Sequence, residues 1–168
     1  MTALDVAIVG AGPAGCWAAR ELALSGARVR LFDHTHPREK PCGGGLTARA
    51  LVYLERAGLR ARLPGVAIRS ARFQSGPLTS PVSVAVPMPM GAAPPLVVFS
   101  PRDLDGALLQ LAVDAGVSHV AERVLDVEAG TRGAMIRTPV GSHRASFVIG
   151  ADGANSIVRR RLFRPFSR

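Results

Sequence analysis

Gly10-Ala11-Gly12-Pro13-Ala14-Gly15 sets glycines at the spacing G-x-G-x-x-G, and the residues on either side give that spacing a mechanism. Asp5 to Val9 ahead of it is a short apolar, β-branched run that predicts a buried parallel strand. Pro13 to Ser25 behind it predicts a helix of small residues, with proline in the first turn, Gly15, Ala18 and Leu22 along one face, and Gly26 at the C′ position. In such a strand, turn and helix the first glycine makes the tight turn, the second clears a side chain from the path of a pyrophosphate, and the third lets helix and strand pack closely. The helix N-terminus then faces the phosphate charge. Arg28 to Phe32 reads as a second strand parallel to the first, and it ends on Asp33. A carboxylate there accepts from adenosine ribose hydroxyls and repels a 2′-phosphate, so the pattern implies a dinucleotide of the FAD or NAD type rather than NADP.

Other chemistries lack a matching pattern in the sequence. His34, His36, His119 and His143 show no metal-ligand spacing, and neither a Gly-x-Ser-x-Gly elbow nor a P-loop is present. Cys16 and Cys42 allow at most one bridge and stand outside any Cys-x-x-Cys pattern, which fits a reducing, cytoplasmic setting. A chain of 168 residues with 48% hydrophobic and 5% aromatic residues suits one well-packed domain and excludes intrinsic disorder. The net charge of +9, carried by arginine except for Lys40, favours anionic partners. Arg159-Arg160-Arg161 reads as a solvated helix face, because no aromatics interleave it as in a nucleic-acid patch. The N-terminus has no basic n-region, and the apolar stretch from Ser80 to Phe99 is cut by Pro81, Pro87, Pro89, Pro94 and Pro95. Neither a signal peptide nor a transmembrane segment is predicted.

The elements that must position these residues follow from turn chemistry and periodicity. His34 to Gly45 is a polar loop rich in proline and glycine, of a length that is usually functional, and Thr47 to Arg56 predicts a helix with Leu51 and Leu54 inward. Three strands near Ile68–Gln74, Val82–Val86 and Leu96–Phe99 read as one inserted antiparallel sheet spanning 66–99. Ser100-Pro101-Arg102-Asp103 opens a helix with an N-cap serine, and Leu104, Leu108 and Leu111 line its inner face up to Gly116. Strands follow at His119–Glu122, Val124–Glu128, Ala134–Thr138 and Ser142–Ile149, the last two forming a hairpin over Pro139-Val140-Gly141, and a helix begins near Arg159.

Four stretches together resemble one family: Asp5 to Asp33, Lys40-Pro41-Cys42-Gly43-Gly44-Gly45-Leu46, Arg102-Asp103-Leu104-Asp105, and Gly150-Ala151-Asp152-Gly153-Ala154-Asn155-Ser156-Ile157-Val158-Arg159. In order and spacing they resemble the flavoprotein superfamily of aromatic hydroxylases and geranylgeranyl reductases, and the Cys-Gly-Gly-Gly-Leu element looks most like the reductase branch. The resemblance implies an α/β, three-layer FAD/NAD(P)-binding (Rossmann-like) domain over residues 1–168, with FAD as cofactor and NAD(P)H as a candidate electron donor. It implies cofactor contacts from Gly10, Gly12, Pro13, Ala14, Gly15, Asp33, Gly43, Gly44, Gly45, Arg102, Val124 and Asp152. Cys42 is the candidate catalytic residue, placed by the resemblance beside the flavin and facing substrate. The implied reaction is reduction of prenyl C=C bonds, with peripheral membrane contact if the substrate is a prenyl lipid. Hydroxylation of an aromatic ring is the alternative, and a non-catalytic nucleotide-binding fragment is a third. The stretches match the N-terminal half of that fold, so the expectation is an incomplete domain, or one completed by a second chain.

Overall fold

The computed structural model describes residues 4–77, 79–86 and 96–163; the proline-broken stretch 87–95 and the arginine-rich end 164–168 lie outside the described residues. The elements in order are β1 (Leu4–Val9), α1 (Pro13–Leu24), β2 (Val29–Phe32), β3 (Gly45–Thr47), α2 (Ala48–Arg56), β4 (Gly65–Ala67), β5 (Ser70–Phe73), β6 (Val82–Ala85) and β7 (Leu96–Phe99), then α3 (Pro101–Asp114), β8 (Ser118–Val120), β9 (Asp126–Gly130), β10 (Gly133–Arg137), β11 (Ser142–Gly150) and α4 (Ile157–Leu162). They form two compact units: Met1–Arg38 with Asp105–Arg168, and Glu39–Leu104.

The first unit is built on a sheet of order β8-β2-β1-β11-β10-β9. β1 runs parallel to β2 and to β11, and β2 runs parallel to β8, while β10 pairs antiparallel with both β11 and β9. Val6, Ala7, Ile8 and Val9 are all buried, as expected of a parallel strand covered on both faces. β11 serves two partners in succession, since Ser142 to Ala145 pair with β10 and Ala145 to Gly150 pair with β1. Its first half turns back over the parallel strands: the His143 ring lies 5.0 Å from the Phe32 ring, and Arg30 Nη1 is 2.7 Å from His143 Nδ1. The β9-β10-β11 meander thereby makes a second layer, with Ala7, Val9, Phe32, Val127, Ala134, Ile136, Ala145 and Val158 as the core between. Gly133 has φ +109 where the meander is tightest, and a Cβ there would strike the Ala145 carbonyl.

Strand alternation leaves Ile8 and Leu31, which pair with each other, on the opposite face. The third layer there is α1, which crosses from β1 to β2. Its buried stripe is Gly15, Cys16 and Ala19, one position displaced from the face that spacing predicts through Ala18 and Leu22. Close approach to the strands selects the smallest side chains. α3 differs similarly: Leu104, Asp105, Leu108, Leu109 and Ala112 are buried, and Leu111 is only half-buried. Its predicted cap is present, with Asp103 N–H donating to Ser100 Oγ at 3.2 Å.

In the second unit, the single inserted sheet expected over 66–99 is replaced by two. β7 is the centre of one, between β3 and β4, and β5 pairs only with β6 in the other. Val97 and Phe99 are almost wholly buried on β7, and a strand so buried needs hydrogen-bonding partners along both edges. It takes one from Gly45–Thr47, which the sequence reads as loop end and helix start. α2 buries Leu51 and Leu54, as its periodicity predicts.

Ile136 is fully buried in the meander core. Ile136→Ala is expected to destabilise the chain by about 2–5 kcal/mol, the usual cost of a large-to-small change in a closed core, measured by denaturant unfolding.

Candidate functional site

The glycine turn is tighter than the sequence motif alone conveys. Gly10 has φ +104, and a Cβ on it would strike the Ala151 carbonyl and lie 2.8 Å from Asp152 Cα. A Cβ on Gly15 would strike the Gly10 carbonyl and lie 3.2 Å from Ala151 Cβ. Both glycines are demanded by the protein's own backbone. Gly12 differs: the nearest atom to a Cβ there, among the described residues, is His36 Nε2 at 3.9 Å, so no close contact requires glycine at that position. Gly12 is the N-cap of α1 and supplies no side-chain cap, Pro13 follows at the first position, and the first turn carries no acidic residue. The N–H groups at that helix end, the positive end of the dipole, have no side-chain cap.

Asp33, at the end of β2, is tied back to this turn. Its Oδ2 accepts from Ala11 N–H at 2.8 Å and lies 2.8 Å from His36 Nδ1. Its Oδ1 accepts from Thr35 N–H at 2.7 Å, the Thr35 hydroxyl at 2.9 Å and His36 N–H at 3.1 Å. Burial works to raise the Asp33 pKa, but the hydrogen bonds from Ala11 and Thr35 and the charge on His36 outweigh it and hold it down at about 2. The ring of His36 continues to Asp105, whose Oδ2 is 3.2 Å from His36 Nε2 and whose side chain is 1% exposed. The sequence reading gives Thr35, His36 and Asp105 no role in the site. An aspartate on the otherwise apolar inner face of α3 is the signal that could have exposed one of them.

Asp152 reaches the turn from the other side, because Ala151 N–H donates to the Val9 carbonyl at 2.8 Å. Its Oδ2 accepts from Ile157 N–H at 2.6 Å at the start of α4, and its Oδ1 is buried without a hydrogen-bond partner among the described residues. The structure therefore assembles Gly10, Gly12, Pro13, Ala14, Gly15, Asp33 and Asp152 in the first unit. Val124 is in that unit too, but its side chain is buried in the meander core, so only its backbone is available to a ligand. Gly43, Gly44, Gly45, Cys42 and Arg102 belong to the second unit. There, Gly44 has φ +60 and a Cβ on it would strike the Phe99 carbonyl, and Gly45 pairs with Val98, whereas a Cβ on Gly43 would meet nothing within 4 Å. Cys42 is exposed, and Arg102 is exposed in the first turn of α3. Among the described residues no group of three or more His, Cys, Asp or Glu could hold a metal ion, and no helix is long and apolar enough to cross a membrane.

Residues 3–167 match the family described as FAD binding domain. The chain belongs to that family. Among relatives of the FAD binding domain, a menaquinone reductase from Mycolicibacterium smegmatis is 34% identical over 99% of this chain and 42% of its own length. A geranylgeranyl diphosphate reductase from Rhodobacter capsulatus is 32% identical over 94% of this chain and 39% of its own length. In three dimensions the FAD binding domain is similar to a probable FAD-dependent monooxygenase from Pseudomonas aeruginosa, with a TM-score of 0.73 and 26% identity over 96% of this chain and 45% of that one. The chain spans about two fifths of the length of the curated relatives it matches.

The depressed pKa of Asp33 carries a signed consequence for stability. Its folded-state value of about 2 lies below the ordinary 3.8, so the ionised carboxylate stabilises the fold above about pH 4, and that contribution is lost as pH falls toward 2. Asp33→Asn is expected to lower the melting temperature at neutral pH, with the gap to the parent chain narrowing steadily below pH 4. A gap independent of pH would show that the carboxylate charge is not what stabilises the turn.

Proposed function

We propose that the pyrophosphate of FAD is held at Gly12 and the N-terminus of α1, its adenosine ribose at Asp33, and the polar chain between pyrophosphate and flavin at Asp152. The observation that carries this reading is the contrast among the three glycines: close backbone contacts demand Gly10 and Gly15, whereas the space beside Gly12 is open to an incoming group. The buried, unpartnered Asp152 Oδ1 is the kind of acceptor that a cofactor hydroxyl satisfies. Pro13, Ala14 and the Val124 backbone belong to the same proposal, as do Gly43, Gly44, Gly45 and Arg102 on the second unit. Of those glycines, Gly43 has open space where a side chain would be. Cys42 is proposed to face the substrate.

Bound FAD supplies two-electron chemistry, and the protein's own part is to hold it, orient it against substrate and exclude water. We propose that the whole protein reduces C=C bonds of a prenyl chain, with NAD(P)H as electron donor. The Cys42-Gly43-Gly44-Gly45-Leu46 element supports this reading, as do the reductase names of relatives at 32–34% identity. The similarity to a probable monooxygenase at 26% identity supports oxygen-dependent hydroxylation as the second reading.

Titration of the purified chain with FAD, followed by flavin fluorescence, is expected to give saturable one-to-one binding. Gly12→Val is expected to weaken it about tenfold or more, equivalent to about 1.4 kcal/mol, at a stability cost of about 1 kcal/mol from loss of the glycine N-cap that leaves the chain folded. Gly15→Ala is expected to cost about 1–3 kcal/mol of stability through overpacking. Unaltered affinity in a folded Gly12→Val chain rejects the placement. With the flavin reduced in the absence of oxygen, gain of two hydrogens by a prenyl substrate supports the reductase reading. Product that requires dioxygen and carries one of its atoms replaces it with the monooxygenase reading.

A further inference from the structure

Five donors converge on the two oxygens of Asp33, more than the roughly four lone-pair positions of a carboxylate, so a ribose hydroxyl must displace one of them. The two oxygens are not equivalent. Oδ2 is held by groups fixed in the fold: the Ala11 N–H in the glycine turn and the His36 ring, whose side chain is only 12% exposed. Oδ1 is held on the exposed side, and one of its donors is the rotatable hydroxyl of Thr35. A hydroxyl is the donor most readily exchanged for another hydroxyl, because it can turn away to water without moving the backbone.

His36 decides which oxygen stays inside. Its Nδ1 lies 2.8 Å from Asp33 Oδ2 and its Nε2 3.2 Å from buried Asp105 Oδ2, so the ring bridges the two aspartates. The same ring lies beneath Gly12, 3.9 Å from where a Cβ would stand. Asp105, Pro37 against Gly106, and the glycine turn leave the imidazole little freedom. We infer that His36 is the positioning residue of the ribose end of this site: it anchors Asp33 Oδ2 to Asp105 and offers Oδ1 to a ribose 2′-hydroxyl, which takes the place of the Thr35 hydroxyl. This rests on the reading that the turn holds the adenosine end of FAD, and it assigns that end a residue outside the glycine motif.

The test uses the purified chain with ADP, 2′-deoxy-ADP and FAD, by calorimetry. In the parent, removing the 2′-hydroxyl is expected to weaken ADP about tenfold, the scale of a hydrogen bond to a charged acceptor. His36→Phe is expected to weaken ADP and FAD about tenfold and to shrink the 2′-deoxy penalty to about twofold, which a general loss of stability does not do. His36→Asn, which keeps a donor near the Nδ1 position, is expected to stay within about threefold of the parent, and His36→Gln, which keeps one near Nε2, to resemble His36→Phe. That pair carries the test if the phenylalanine variant fails to fold. A full 2′-deoxy penalty retained in His36→Phe, or equal affinities for the Asn and Gln variants, overturns the inference. FAD binding with no 2′-deoxy penalty in the parent overturns it while leaving the FAD site standing. Failure of the folded parent to bind either FAD or ADP overturns the FAD site and this inference together.

Discussion

Three backbone segments meet at Gly10 more closely than any side chain allows, and the site follows from that approach. The β1 end, the start of α1 and the Ala151-Asp152 loop share this point, with Gly15 against the Gly10 carbonyl and Gly10 against the Ala151 carbonyl. Backbone rather than side chains fills the space, while Pro13 and Ala14 at the helix start stay exposed. The same contact fixes where β11 must end, since Ala151 N–H donates to Val9. A parallel sheet centred on β1 therefore delivers both acidic groups to one turn, Asp33 from β2 on one side and Asp152 after β11 on the other.

Charge placement at this turn is divided between two carboxylates with different states of satisfaction. Asp33 is over-supplied with donors and braces the turn through Ala11, which keeps it ionised. Asp152 uses one oxygen to start α4 and keeps the other buried and unpartnered. Leaving a buried carboxylate oxygen unsatisfied costs free energy, about 1–3 kcal/mol in typical cases, and such a cost persists where an incoming group relieves it. The two aspartates thus make unequal demands: one already has its partners, the other lacks one.

The parts legible in sequence are those set by local backbone chemistry. The turn, α1, β2 and the Ser100 cap depend on glycine, proline and short polar side chains within a few residues of each other, and all stand where spacing puts them. Position along a helix was less legible: the buried stripes of α1 and α3 are set by which neighbours approach, and sequence spacing is compatible with more than one face. Pairing of 66–99 was the least legible, because β7 recruits Gly45–Thr47, a segment whose strand character exists only through its partner. The role of His36 was hidden for the same reason. Its two partners lie three residues before it and on a helix far along the chain, and no periodicity links them.

The arginine run shows how composition misleads until contacts are counted one by one. Arg159 donates from Nη2 to the Ala154 carbonyl at 2.8 Å and Arg160 from Nη1 to the Asn155 carbonyl at 2.7 Å, while Arg161 Nε pairs with Asp126 at 2.8 Å. Three adjacent cations that on charge alone suggest an anionic partner are directed at the protein itself. Two of them hold carbonyls of the loop that follows Asp152, and the third links α4 to β9. The loop turns at Gly153, φ +76, and the two guanidinium groups hold its carbonyls. The Asp152 carboxylate is thereby held from both directions, by Ile157 N–H at the helix start and by the braced loop behind it, with its second oxygen still open to a partner.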